Sequence, residues 1–203
     1  MDYKGAEATI TKTKIIGIPA VVKDRVAKNY RAKELDTKLR KERTRVEARL
    51  LHKAKLAGVL CPTVLEVQEF KLVIEFLKGK RPKMNEKVAV GAGEILAKLH
   101  DAGIIHGDFT PANLLLVEGR SSKLEERRST IYPPASSKVY VIDFGLGFFS
   151  VDVEDKAVDV LTMVKSIDRK LHESFLKGYA NCKDYDKVMK RLEVVKKRVR
   201  YAF

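Results

Sequence analysis

His106-Gly107-Asp108-Phe109-Thr110-Pro111-Ala112-Asn113, joined later in the chain by Ile142-Asp143-Phe144-Gly145, is the part of the sequence that decides the fold. Its functional groups are oxygen donors: the carboxylates of Asp108 and Asp143 and the amide of Asn113, five positions beyond Asp108. That spacing brings the Asn113 side chain back across a tight loop, and Gly145 permits a sharp turn directly after Asp143. Each piece alone is uninformative, because a single aspartate in a loop is usually a solvated turn former. The ordered combination carries the information.

Such a set suits phosphoryl transfer, which needs alignment, a carboxylate beside the acceptor and cations on the phosphate oxygens more than it needs covalent chemistry. Asp108 is placed to orient an acceptor hydroxyl or a water, and Asn113 and Asp143 to ligate a metal ion. Magnesium takes oxygen ligands and keeps several waters, so one carboxylate, one amide and the phosphates of ATP complete a site. Manganese is the alternative ion.

Upstream, residues 6–23 read as two short strands, with Ile10, Ile15 and Ile16 in the first, Ala20, Val21 and Val22 in the second, and Pro19 near the turn. A long charged helix follows from Ala32 to Ala57, with an apolar stripe of Val46, Leu50, Leu51 and Ala54 and a stop at Gly58. Lys23, closing an apolar strand, is expected to contact the ATP phosphates and to need an acidic partner on that helix. Glu47 shares the face of Leu50, Leu51 and Ala54 and is preferred. Glu42, on the neighbouring face with Leu39 and Val46, is the competitor. For either, the plain alternative is a helix ion pair contributing a few tenths of a kcal/mol.

Val64–Val67 and Leu72–Phe76 form a further hairpin, so the first part holds four or five strands and one helix. Glu75-Phe76-Leu77 then forms a hinge, with Glu75 and Leu77 offering backbone groups to the adenine edge; simple packing is the alternative. A phosphate-covering loop is expected at Gly5, Ala6, Glu7 and Ala8, although it lacks the GxGxxG spacing. Asn85 caps a helix carrying Val88, Ala92, Ile95 and Leu99 that ends at Gly103. Residues 118–138, rich in serine, arginine and glutamate, read as a mobile insertion. About three helices follow Asp143, the first near Asp155–Ile167 and the last basic. The fold class is α+β, with a small β-rich lobe over residues 1–77 and a reduced helical lobe over 78–203.

The 203 residues allow one or two small lobes. Lysine and arginine number 41 against 27 acids, a formal charge of +14 that favours a polyanionic partner over mere lysine-rich habit. Cys61 and Cys182 form no metal-binding spacing, and no run of about 18 apolar residues occurs, which points to a soluble cytoplasmic protein with no membrane span.

With Gly5-Ala6-Glu7-Ala8, Lys23, Glu47-Ala48-Arg49, His106-Gly107-Asp108, Asn113, Asp143-Phe144-Gly145 and Asp155-Lys156-Ala157-Val158-Asp159 in order, the chain resembles the small kinase subunit of the KEOPS (EKC) complex, related to the RIO-type atypical kinases. The resemblance covers nearly everything outside 118–138. It implies a bilobal protein-kinase-like fold, serine/threonine kinase and ATPase activity, and a part in making threonylcarbamoyl-adenosine at tRNA position 37. Its implied partners are the threonylcarbamoyl-transferase subunit, a small helical subunit and tRNA. It also favours Asp159 as a buried carboxylate holding the catalytic-loop amides over a solvent-facing helix charge, and a structural His106 over a proton-transferring one.

Departures from ordinary protein kinases are physical. Gly107 stands where an arginine would hold an activation-loop phosphate, Thr110 where lysine is usual, and no Ala-Pro-Glu follows Gly145. A general peptide substrate is therefore not expected. The last 17 residues carry Lys187, Lys190, Arg191, Lys196, Lys197, Arg198 and Arg200 before Tyr201-Ala202-Phe203, a candidate tRNA contact or a solvated helix end. The helix from Lys33 to Lys55 adds nine basic residues. Ser121, Ser122, Ser129, Thr130, Ser136 and Ser137 are candidate autophosphorylation sites. Two other functions compete: a small-molecule phosphotransferase, against which the short helical lobe argues, and a non-catalytic tRNA-binding scaffold, against which intact Lys23, Asp108, Asn113 and Asp143 argue.

Overall fold

The structure is a computed structural model that describes residues 3–4, 8–117 and 138–200. Gly5, Ala6 and Glu7, the expected insertion apart from Lys138, with its candidate phosphorylation sites, and Tyr201-Ala202-Phe203 lie outside the described residues.

Strands β2 (Ala8–Ile15) and β3 (Ile18–Arg25) pair antiparallel from Ala8 opposite Arg25 to Ile15 opposite Ile18. Their two-residue connection, Ile16-Gly17, has φ of 49° and 77°, the positive pair that matches the twist of a tight hairpin. Ile16, expected in the first strand, is thus a turn residue. It is 97% exposed, so no packing offsets the roughly 1–2 kcal/mol an L-residue loses in left-handed geometry. Pro19 is near the turn as expected, within β3 opposite Lys14. With β1 (Tyr3–Lys4), β4 (Val64–Val67) and β5 (Lys71–Glu75), the sheet order is β1-β2-β3-β5-β4.

Helix α1 (Lys33–Leu56) buries Thr44, Glu47, Leu50, Leu51 and Ala54. Acids in its first turn and lysines in its last suit the helix dipole. Helix α2 (Glu86–Asp101) begins where the Asn85 side chain accepts the Val88 amide, and its buried face is Val88, Ala89, Ala92, Ile95, Leu96 and Leu99. Among the described residues three α-helices follow the second motif: α3 (Val153–Ser166), α4 (His172–Tyr179) and α5 (Tyr185–Arg200). Asp152 caps α3 by accepting the Glu154 amide, which starts this helix two residues before the expected Asp155.

Helices α2 and α4 cross backbone to backbone. A Cβ on Gly93 would overlap the Phe175 carbonyl, and one on Gly178 the Val90 carbonyl, so neither position tolerates a side chain. Helix α5 is amphipathic: Val188, Leu192 and Val195 are buried, and Arg191 and Arg198 reach Glu154 on α3. The basic C-terminal stretch is therefore, through Arg200, a docked helix and not a loose tail.

Two small sheets hold the functional loops. β7 (Ile104–Ile105) pairs with β10 (Phe148–Phe149), and β8 (Leu114–Val117) lies between β6 (Gly79–Lys80) and β9 (Lys138–Val141). One buried cluster runs from Leu50 and Leu72 through Phe109 and Phe144 to Phe175, Tyr179 and Leu192. It joins the sheet-bearing part to the helical part. Among the described residues no helix is long and apolar enough to cross a membrane.

Candidate active site

The loop from His106 to Asn113 is anchored from below by Asp159 on α3. This carboxylate is 1% exposed; one oxygen accepts the His106 amide at 2.6 Å and the other the Gly107 amide at 2.9 Å. Gly107 has φ 78°, and a Cβ there would overlap the Leu146 carbonyl oxygen. A backbone crossing thus requires glycine where ordinary protein kinases place arginine.

The His106 ring is fully buried against Phe109 and Phe144. Its Nε2–H donates to the Ile142 carbonyl at 3.1 Å and its Nδ1 accepts the Asp108 amide at 3.3 Å. Burial pushes its pKa down, the Asp159 charge opposing. A neutral ring that ties Asp108 to the strand before Asp143 fits the structural role expected of it.

Beyond Asp108 the chain makes a single 3₁₀ turn, Pro111–Asn113. Asn113 Nδ2 donates to both the carbonyl and a carboxylate oxygen of Asp108, each at 2.8 Å, which leaves Oδ1 on the other side of the amide for a cation. The Asn113 carbonyl accepts the Ile142 amide at 2.9 Å, so strand pairing delivers Asp143 beside the loop.

Asp143 takes φ 61°, and its Oδ1 accepts from Lys23 Nζ at 2.6 Å and from the Gly145 amide at 3.2 Å. Burial alone would raise its pKa; the charge and hydrogen bond of Lys23 outweigh that and hold the carboxyl below its usual range. Lys23 lies within β3, short of its end, and also meets Glu47 Oε1 at 2.7 Å. Burial would lower the Lys23 pKa, but Glu47 and Asp143 together raise it, so the ammonium stays charged. Glu42 is exposed on α1.

Two participants escaped the sequence reading. Arg25 stands two residues after Lys23, hence on the same face of β3, and its Nη2 meets Glu47 Oε2 at 2.6 Å. Charges alternate along the line Arg25, Glu47, Lys23, Asp143, and strand periodicity was the available signal for Arg25. His100, fully buried near the end of α2, lies 3.4 Å from Asp159 through Nε2 and 2.7 Å from the Tyr179 hydroxyl through Nδ1. A buried helical histidine gives no sequence signal that separates this role from ordinary packing.

At the expected hinge the Glu75 carboxylate accepts the Thr63 hydroxyl at 2.8 Å, its amide donates to the Thr63 carbonyl, and the Phe76 amide donates to the Pro19 carbonyl. Those groups brace the sheet. Leu77 follows β5 and is partly buried. Ala8 is buried at the start of β2, opposite Arg25.

Among the described residues no group of three or more His, Cys, Asp or Glu could hold a metal ion by itself. The donor set of Asn113 and Asp143 fits a hard cation that brings phosphate and water oxygens with it. Lys23 bridges Glu47 and Asp143 beside that donor set.

Residues 20–122 match the RIO domain family. The chain is 37% identical to a probable serine/threonine-protein kinase BUD32 homolog of Archaeoglobus fulgidus, over 98% of this chain and 95% of that one. It is 40% identical to a probable bifunctional tRNA threonylcarbamoyladenosine biosynthesis protein of Methanosarcina mazei, over 92% of this chain and 32% of the relative, so it spans less than a third of that relative's length. Among solved structures, the Rio2 kinase of Chaetomium thermophilum, determined as an ADP/Mg2+-phosphoaspartate complex, aligns over 100% of this chain and 71% of its own with a TM-score of 0.65 at 16% identity. The α+β architecture is kinase-like.

Proposed function

The chain belongs to the RIO domain family, and from that premise we propose that it is an ATP-dependent atypical serine/threonine kinase and ATPase serving the synthesis of threonylcarbamoyl-adenosine at tRNA position 37. The names of its relatives from Archaeoglobus fulgidus and Methanosarcina mazei support the kinase and the tRNA pathway respectively. The observation that carries the chemistry is the meeting of Lys23 and Asp143 at 2.6 Å beside the Asp108–Asn113 loop.

Asp143 and the Asn113 amide oxygen hold magnesium, or manganese in its place, together with the phosphates of ATP. When bound, the ion supplies positive charge to the phosphate oxygens and the leaving group. Lys23, kept cationic by Glu47, orients the phosphates. Asp108, its carboxylate steered by the Asn113 amide, accepts the hydrogen bond of the attacking hydroxyl or water and aligns it. Asp159 and His106 fix the loop on which Asp108 sits. The hinge at the end of β5 offers the Glu75 carbonyl and the backbone of Leu77 to adenine, the Glu75 amide being already given to the Thr63 carbonyl.

The protein acts in the cytoplasm with the threonylcarbamoyl-transferase subunit and the small helical subunit of KEOPS. Basic side chains of α1 and α5 contact tRNA. On α5, Lys187, Arg191, Lys196 and Arg198 meet carboxylates, as Arg40, Lys41 and Lys55 do on α1.

The test is magnesium-dependent ATP turnover by the wild type and Asp108→Ala, with and without the transferase partner and tRNA, tracing labelled phosphate to protein or solvent. A loss of about 100-fold or more in the variant is expected. Label in solvent marks an ATPase, label on protein a kinase; equal rates for the two proteins would refute the enzymatic reading and leave the scaffold.

A further inference from the structure

Along α2 runs a groove of about 720 Å³, and none of the residues lining it belongs to the catalytic or metal loop. Lys87, Gly91, Glu94 and Lys98 fall at helical spacing on one face of α2 and line it together with Leu116 of β8 and Val139 of β9. From Lys87 to Lys98 the helix rises about 16 Å, the length of about five extended residues. The floor is aliphatic: Val59, Val88 and Ile95 are buried, and Leu60, Leu116 and Val139 are half-buried. Among the described residues no aromatic ring lines it, so it gives a nucleobase nothing to stack on.

Gly91 is the unusual member. Glycine weakens a helix interior relative to alanine. Two positions on, Gly93 is required, because a Cβ there would overlap the Phe175 carbonyl. At Gly91 a Cβ would meet Val139 at an ordinary 3.8 Å and nothing nearer among the described residues, so packing within the chain does not call for glycine. What its missing side chain leaves open is the middle of the groove. Lys87, Lys98 and Lys138 are exposed at its edges, and none of the three meets a carboxylate among the described residues. Glu94, between Lys87 and Lys98, is the single acid among the described lining residues.

We propose that this groove docks a short extended segment of a partner protein, aliphatic in its middle and acidic at both ends. The aliphatic side chains seat on the floor and the backbone passes over Gly91. One terminal carboxylate meets Lys87 and the other Lys98, with Lys138 beside the path. Burial of the aliphatic floor supplies the affinity, and the lysines set register. Glu94 repels an acid at the centre, which sharpens the preferred pattern. A second copy of this chain is a poor occupant, because a formal charge of +14 on each copy opposes their approach.

The probe is a pool of synthetic five-residue peptides with Asp or Glu at both ends and Leu, Ile or Val at the three middle positions. The pool is passed over the immobilised full chain at physiological salt, and retained members are identified by mass spectrometry. Gly91→Leu fills the groove without altering any charge, so it separates the groove from the basic surface at large. Members retained by the wild type should bind Gly91→Leu at least about tenfold more weakly, while its unliganded melting temperature stays at or above the wild type, because leucine is the better helix former. A matched pool with Ser in the middle should not be retained. Lys87→Glu combined with Lys98→Glu should exchange the acidic pool for one with Lys at both ends. No retained member, or retention equal in wild type and Gly91→Leu, overturns the proposal. Retention that appears only after residues 118–137 are replaced by a short glycine-serine linker gives the groove to the chain's own segment and also overturns it. So does a wild-type dimer in sedimentation that Gly91→Leu dissolves, which gives the groove to a second copy.

Discussion

Replacing Asp159 by asparagine tests whether the catalytic loop is held from beneath. Both carboxylate oxygens accept buried amides, from His106 at 2.6 Å and Gly107 at 2.9 Å. In asparagine one oxygen becomes an NH2, so one of those amides faces a donor. The loss of a charge-assisted bond is about 1.5–3 kcal/mol and the stranded buried amide about 1–3 kcal/mol. Relief of burying a charge works the other way, leaving a net cost of about 2–4 kcal/mol. In a chain of this size each kcal/mol moves the melting temperature by about 2–4 °C, so a fall of about 5–15 °C is expected. ATP turnover, measured in parallel well below that melting point, should drop by at least about tenfold because Asp108 is no longer positioned. Asp108→Ala, which disturbs no buried charge, should lose turnover while keeping most of its melting temperature. If Asp159→Asn melted within about 2 °C of the wild type and turned over within about twofold, the anchoring argument would be wrong.

Glu47→Gln leaves Lys23 and Arg25 without their shared anion and should cost about 3–5 kcal/mol in urea unfolding, whereas Glu42→Gln on the exposed face should stay within about 0.5 kcal/mol. Ile16→Asn should raise stability by about 1 kcal/mol, because asparagine accepts the left-handed turn that an exposed isoleucine resists; a lowered melting temperature would count against the strain assigned there. Burial holds the pKa of both His100 and His106 below the ordinary imidazole value of 6.5. Above that pH neither state is protonated; as pH falls through it, the unfolded chain takes up protons the folded chain refuses. Stability should therefore decline toward acid, by up to about 1.4 kcal/mol per pH unit for each ring, until the depressed folded values are reached. Melting curves from pH 7.5 to 5.5 that overlay one another would contradict this. The Asp143 carboxyl, held low by Lys23, contributes stability that is lost only below its ordinary 3.8.

Much of this arrangement was legible in the residues. The apolar stripe of α1 oriented Glu47 toward the strand carrying Lys23, and Asn85 marked the start of α2 through its capping chemistry. Asp159, on a helix after Asp143, read equally as a solvent-facing charge or an anchor, and only the family resemblance favoured the anchor. What escaped has physical causes. Ile16 has strong strand propensity, yet the hairpin register overrode it and forced it into the turn. Arg25 looked like one more cation in a basic chain, because sequence shows a charge and not which carboxylate it shares. His100 depends on Tyr179, distant in sequence, and no local pattern reports such a meeting. The basic C-terminal stretch gave its charge but not that Glu154 would draw Arg191 and Arg198 onto α3.

The crossing of α2 and α4 at Gly93 and Gly178 has a mechanical consequence. At these two glycines backbone meets backbone with no side chain between to repack, so sliding one helix along the other would drive carbonyls into amides, and the pair resists it like a single beam. His100 and Tyr179 sit on its two members, and through Asp159 the beam ends at the amides of His106 and Gly107. A push on α4 from outside would reach the catalytic loop with little damping. Stiffness here, more than any mobile loop, would let a neighbour sense or set the geometry around Asp108.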